Sequence, residues 1–209
     1  MAPRIINAAR GSAEWHEARR GLVTASEVHR LFEPAPRAAY LRHLDLDLDG
    51  VPNHEHEQPP PWFGDGPTQA RARALALYRS RLIDPAIWRP AEFVVSGDHP
   101  WLGTTTDGLI GSTGVLWVQC FASRARLRAT HESYPTRRAV IRLQAMMLVT
   151  GTTRAVHWLY HEAPEVGEVA FVQFTVGRDP WWQREIEDAA IQFRTDLLAR
   201  RMERARAAS

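Results

Sequence analysis

Residues 99–121 read His-Pro-Trp-Leu-Gly-Thr-Thr-Thr-Asp-Gly-Leu-Ile-Gly-Ser-Thr-Gly-Val-Leu-Trp-Val-Gln-Cys-Phe. Residues 102–110 form one predicted strand, Gly111-Ser112-Thr113-Gly114 a hairpin turn, and residues 115–121 a second strand. That second strand is almost wholly apolar, the pattern of a central strand buried on both faces. Just upstream, Glu92-Phe93-Val94-Val95-Ser96 reads as a strand and Gly97-Asp98-His99-Pro100 as a turn, so the region is a three-strand meander.

Helical patterns lie on both sides of the meander. Ser12 is a predicted N-cap ahead of Trp15, Ala18 and Leu22 at helical spacing. A short helix is expected over 26–32 and another over 34–43. Residues 45–61 are acidic and Pro-rich and read as a loop. Gly66-Pro67 opens a helix expected to reach about residue 82. Downstream come a helix over 136–149 ended by Gly151, strands over 154–161 and 168–176, and an arginine-rich amphipathic helix from Pro180 onward. This order predicts an α/β or α+β fold with a mixed central sheet flanked by helices. It is expected as a single domain over 1–209, with its core at about 11–195 and a frayed tail at 202–209.

The 209 residues suffice for one sizeable core. Hydrophobic residues at 44% and charged residues at 24% are ordinary for a globular protein. No apolar run of 18 or more residues is present, and the first residues lack the apolar core of a signal peptide, so a cytoplasmic protein is expected. The single Cys120 excludes an internal disulfide. All 26 basic residues are arginine and the net charge is +2. Arginine grips phosphate bidentately and stacks on bases, although GC-rich codon usage also favours it. Either way no step can use a lysine.

Three stretches carry a resemblance, the last more weakly. Trp15-His16-Glu17-Ala18-Arg19-Arg20-Gly21-Leu22-Val23-Thr24-Ala25-Ser26 is similar to the opening W-x-x-x-R-x-G-x-(I/V)-T-A-S motif of the lambda exonuclease and YqaJ viral recombinase family, within the PD-(D/E)xK nucleases. His99-Pro100-Trp101-Leu102-Gly103-Thr104-Thr105-Thr106-Asp107-Gly108-Leu109-Ile110 resembles its H-P-x-x-x-x-S-P-D-G-L-I segment. Leu143-Gln144 through Val149-Thr150-Gly151 resembles its helix bearing V-Q and ending in V-T-G. The resemblance spans about residues 11–195. It implies a restriction-endonuclease-like fold and a relative of enzymes that degrade one strand from duplex DNA ends with two metal ions.

The same resemblance locates a degraded metal site. The family pattern is a helix Glu, then Asp, then nine residues, then Glu-x-Lys. Asp107 matches the Asp, but Trp117 stands where Glu is expected, Gln119 where Lys is expected, and Thr68 where the helix Glu is expected. An indole has no lone pair for a metal. One carboxylate makes a poor Mg²⁺ or Mn²⁺ site, so no tightly bound ion is expected. Asp65, Glu92 or Asp98 could supply a relocated carboxylate; Asp65 as a helix cap and Glu92 as a solvated strand residue are the plainer expectations.

The 5′-phosphate positions are better kept. Arg19, Ser26 and Gln144 match the family's ligands, and Thr105 replaces a serine, a set able to grip a phosphate. The alternatives are a Ser26 helix cap and a surface amide at Gln144. Trp15 either stacks on a base or packs in the core. Arg124, Arg126 and Arg128, with Arg137, Arg138 and Arg142, line a DNA channel or solvate a loop. The C-terminal Arg194, Arg200, Arg201, Arg204 and Arg206 form a solvated face or tail. His54-Glu55-His56-Glu57 is a weak metal-binding pattern, and Trp181-Trp182 either packs on the sheet or forms a protein interface. The chain is therefore expected to bind DNA ends with impaired catalysis. An active exonuclease with a rearranged site around Asp107 and a scaffold for a protein partner are the alternatives. A homo-oligomer such as a trimer, or a recombination partner protein, is compatible with all three.

Overall fold

The computed structural model describes residues 1–51, 66–163 and 167–208. The element order is β1 (Arg4–Ile6), α1 (Ala13–Arg19), β2 (Val23–Thr24), a 3-10 turn (Val28–Phe32), α2 (Pro34–Leu48), α3 (Gly66–Ser80), a 3-10 turn (Pro85–Ile87), β3 (Trp88–Arg89), β4 (Phe93–Val95), β5 (Leu102–Thr105), β6 (Gly108–Ile110), β7 (Gly114–Phe121), α4 (Arg124–Glu132), α5 (Arg137–Thr150), β8 (Arg154–Ala163), β9 (Glu168–Gly177) and α6 (Pro180–Ala207). The strands form two mixed sheets, ordered β1-β4-β5-β2 and β3-β6-β7-β8-β9, with helices on their faces. The central sheet expected from sequence is thus divided. The single strand expected over 102–110 is broken at Thr106-Asp107, so β5 belongs to one sheet and β6 to the other.

Local chemistry sets the helix ends. Ser12 caps α1 by accepting the Trp15 N–H at 3.2 Å, and Thr136 caps α5 by accepting the Ala139 N–H at 3.2 Å. Gly151 ends α5 in the left-handed conformation (φ 69°). Asp179 accepts the Trp181 N–H at 2.9 Å and Pro180 follows it, which opens α6. One helix went unforeseen. Residues 124–132, expected as a loop or strand-spaced channel, form α4, capped by Ser123 and anchored by buried Leu127.

The chain leaves β7, passes through α4 and α5, and returns as β8 parallel to β7, with Trp117 opposite His157 and Gln119 opposite Leu159. β7 has two faces. Val115 and Trp117 lie in the large core beneath α5, with Leu143, Met146, Met147 and Phe193. Leu116 and Val118 lie in a second core beneath α3, with Tyr78, Trp158 and Tyr160.

The acidic stretch after residue 44 was expected to be loop, yet α2 runs to Leu48. Asp45 is 2% exposed and meets Arg200 Nε at 2.8 Å, Arg204 Nη1 at 2.9 Å and Arg201 Nη1 at 3.3 Å. Asp49 meets Arg201 and Arg204 at 2.9 Å each. These arginines, expected as a solvated tail, clamp α6 to α2 and hold it helical to Ala207. Burial alone would raise the Asp45 carboxyl, but the hydrogen bonds from Arg200 and Arg204 outweigh it and hold the pKa below the usual range. Because the arginines keep much of their water, Asp45→Ala should cost about 2 kcal/mol, a fall of about 4–8 °C in the unfolding midpoint. A calorimetric shift under about 1 °C would mean the clamp adds nothing beyond packing.

Candidate functional site

The break between the two sheets builds the site. Thr106 accepts the Gly108 N–H at 3.2 Å through its hydroxyl and donates that hydroxyl to the Ala91 carbonyl. Gly108 has φ 137°, and a Cβ there would sit 2.1 Å from Trp88 Nε1. The same indole nitrogen donates to the Asp107 carbonyl at 3.1 Å. Only glycine fits, because both the conformation and the space exclude a side chain. The corner turns Asp107 inward, 4% exposed.

The Asp107 carboxylate is fully engaged. Its Oδ2 accepts the Val118 N–H at 2.7 Å. Its Oδ1 accepts a charge-assisted bond from Arg71 Nε, and Arg10 Nη2 stands 3.8 Å away. Arg10 and Arg71 also each donate to the Thr106 carbonyl at 3.3 Å. Glu92, expected as a solvated strand residue, joins this cluster, 3.5 Å from Arg71 Nη2 and 3.9 Å from Arg10 Nε. Asp98 instead pairs with the N-terminal amine in an exposed contact. Asp65, the His54–Glu57 tract and the Thr68 side chain lie outside the described residues. Among the described residues no three His, Cys, Asp or Glu side chains gather as a metal would need.

Trp117 and Gln119 lie on the α5 face of β7, beside Asp107. Trp117 stacks on His157 with ring centroids 3.8 Å apart and planes 4° from parallel. The Arg142 guanidinium lies 4.1 Å from the Trp117 ring centre. Burial, reinforced by Arg142, pushes the His157 pKa down to about 3, so the imidazole is neutral. Its Nε2–H then donates to Gln119 Oε1 at 3.1 Å, while Nδ1 is buried with no partner.

Next to this centre opens a cavity of about 890 Å³ lined by Arg10, Arg19, Thr24, Ser26, Arg30 and Tyr40, among others. Arg19 lies with its guanidinium 4.0 Å from the Trp15 ring centre. Trp15 itself is 7% exposed, packs with Phe93 and Val95, and also lines the cavity. Ser26 does not cap the following turn, whose N-cap is Glu27; its hydroxyl meets Thr24 Oγ1 at 3.1 Å.

Other expected residues sit apart. Gln144 is buried rather than a surface amide. It donates to the Gly177 carbonyl at 2.8 Å and accepts the Asp179 N–H at 3.0 Å and Gln183 Nε2 at 2.9 Å. Those contacts tie β9 and the start of α6 to α5, and Gln144 does not line the cavity. Thr105 is half-buried at the end of β5 and does not line it either. Arg124 and Arg126 are exposed on α4, two residues apart and so on different sides of a helix. Trp181 is 58% exposed, while Trp182 packs edge-on against Phe32 at 6.2 Å.

Arg10 and Arg71 escaped the sequence reading. Arg10 lacks any local signature. Arg71 follows Thr68 by three residues on α3, so the helical row on which the resemblance places the family's Glu carries a guanidinium.

Two structures of the alkaline exonuclease of Laribacter hongkongensis, one in complex with dAMP, superpose with a TM-score of 0.79. They are 24% and 23% identical to this chain, and the match covers 94% of it and 98% of theirs. The chain has the fold of these exonucleases. A phage-related exonuclease from Haemophilus somnus matches more loosely, with a TM-score of 0.56, 14% identity and coverage of 86% of this chain and 96% of that one. No family model and no curated protein matches the sequence. The nuclease fold expected from the sequence motifs thus holds over most of the chain. Among the described residues no helix is long and apolar enough to cross a membrane.

Proposed function

We propose that this protein binds the ends of duplex DNA and is impaired in cleavage, its metal centre having been replaced by arginine. The observation that carries the reading is Asp107, with Arg71 on one carboxylate oxygen and the Val118 N–H on the other. A divalent cation needs those lone pairs free and further oxygen ligands beside them. The two positions that the family resemblance assigns to Glu and Lys hold an indole and an amide whose carbonyl already accepts from His157. The donor set therefore does not fit a pair of metal ions, and no cleavage step is derived through them.

Binding is supported from the other side of the site. The cavity has the size of a small-ligand site and carries Arg10, Arg19, Thr24 and Ser26. A guanidinium with neutral hydroxyl donors suits a terminal phosphate. The Laribacter exonuclease structure with dAMP supports a nucleotide end as the ligand class.

The test is digestion of a 5′-phosphorylated linear duplex with Mg²⁺ or Mn²⁺, beside a gel shift on the same DNA. Binding without shortening is expected, and Arg19→Ala should weaken binding about 10–100-fold, the worth of a charge-assisted contact. A second reading has its own observation, since Glu92 shares Arg10 and Arg71 with Asp107 and could complete a rearranged metal site. Digestion that Asp107→Ala abolishes would establish that reading and overturn the first.

A further inference from the structure

The charges around Asp107 do not balance. Arg71 contacts the carboxylate, Arg10 stands 3.8 Å from it, and Arg142 feels the charges of both Asp107 and Arg10. Three guanidiniums thus face two carboxylates, Asp107 and Glu92, which leaves one positive charge in excess. Glu27, the other acid near Arg142, is paired with Arg30 at 3.0 Å. Gln119 is occupied by His157, and His157 is itself neutral.

Arg142 carries the imbalance most plainly. Its Nε is buried with no hydrogen-bond partner. Among the described residues it forms no ion pair, and its flat face rests on Trp117. Burial pushes its pKa down to about 10 although Asp107 pulls the other way. A half-buried guanidinium whose Nε has neither water nor a partner is costly, so the arrangement suits an anion supplied from outside. A phosphate, accepting bidentate bonds from planar guanidiniums, is the anion such a cluster matches best.

Resting on the reading of the chain as a DNA-end binder, we propose that Arg10, Arg71 and Arg142 form a metal-independent phosphate site that holds a backbone phosphodiester of the bound strand beside Asp107. It is distinct from the end-phosphate position of Arg19 and Ser26 but continuous with it, because Arg10 lines the cavity and also reaches Asp107. The arginines supply the positive charge that the family resemblance assigns to metal ions.

The experiment titrates a 5′-phosphorylated duplex against wild type, Arg142→Gln, Arg19→Ala and the exposed control Arg184→Gln, over a salt series, with EDTA and with Mg²⁺. Wild-type affinity should be the same with EDTA as with Mg²⁺. Arg142→Gln should weaken binding about 10–100-fold and lower the salt slope by about one. Its unfolding midpoint should hold or rise, because an uncompensated buried cation is gone; Arg184→Gln should change neither. A merely structural Arg142 predicts the reverse, a lower midpoint with an unchanged salt slope, and would overturn the proposal. Affinity that requires Mg²⁺ would overturn it too. If Arg19→Ala weakens binding while Arg142→Gln does not, the end-binding reading stands and this site falls. If wild type shows no salt-sensitive DNA binding, both fall together.

Discussion

Asp107→Ala is expected to destabilise the protein by about 3–5 kcal/mol while tightening its hold on DNA. The cost arises because the carboxylate is almost fully buried and each oxygen is used, so its removal leaves the Val118 N–H unpaired and Arg71 with only Glu92 and the Thr106 carbonyl. At this chain length that is a fall of about 6–20 °C in the unfolding midpoint. The gain in binding arises because one negative charge leaves a cationic site. Two unit charges a few ångström apart exchange about 1 kcal/mol even in water, which is about fivefold in affinity. A carboxylate kept to hold metal predicts the opposite pair of results, since removing it relieves repulsion in the metal-free protein and weakens metal-supported binding. Asp107→Asn separates the terms: its amide oxygen can keep the Val118 bond while the charge is lost. Thermal unfolding and a gel shift in EDTA on both variants decide the matter; a stabilised Asp107→Ala would overturn the arginine-neutralised centre.

The second large effect is a loss of stability in mild acid that runs through one histidine. His157 is 1% exposed, and burial with the nearby Arg142 charge pushes its pKa from 6.5 down to about 3. The unfolded chain takes up a proton there as pH falls below 6.5, while the folded chain does not until about 3. A depressed folded pKa gives stability that is complete above the unfolded value and drains away as pH falls through this window. Between pH 7 and pH 5 the loss is about 2 kcal/mol. His29, also shifted down mainly by burial, adds in the same direction. Urea unfolding at the two pH values should show that His157→Gln loses about 2 kcal/mol less than wild type across the interval. Equal losses would mean that the imidazole is reached by water and is not the neutral donor to Gln119.

Much of the framework was legible before the fold was seen. Ser12, Thr136 and Gly151 marked helix ends because capping is a local matter of one side chain and one turn. The hairpin around Asp107 was legible because apolar runs and a Gly-rich turn are also local signals. The divided sheet was not, since the break at Thr106-Asp107 depends on Trp88, nearly twenty residues upstream, closing over Gly108. Residues 124–132 misled because alanine, arginine and threonine around a single Leu127 show no helical period. Gln144 misled for a different reason: on a helix buried nearly all round, no pattern says which amide faces a cavity and which ties strands together. Arg71 and Arg10 stayed hidden because their meaning comes only from Asp107, to which nothing in their own neighbourhoods points.

The two-faced strand β7 has a further consequence for how such a protein changes over time. Leu116 and Val118 serve the core beneath α3, while Trp117 and Gln119 sit half-buried at the edge of the other core. Alternation along a strand sends neighbouring residues to opposite sides, so the two sets answer to different neighbours. Positions 117 and 119 are thereby insulated from the packing that α3 demands. Substitutions there answer to α5, His157 and the chemistry of the site rather than to α3, so the site can be rewritten while the core beneath α3 stays unchanged.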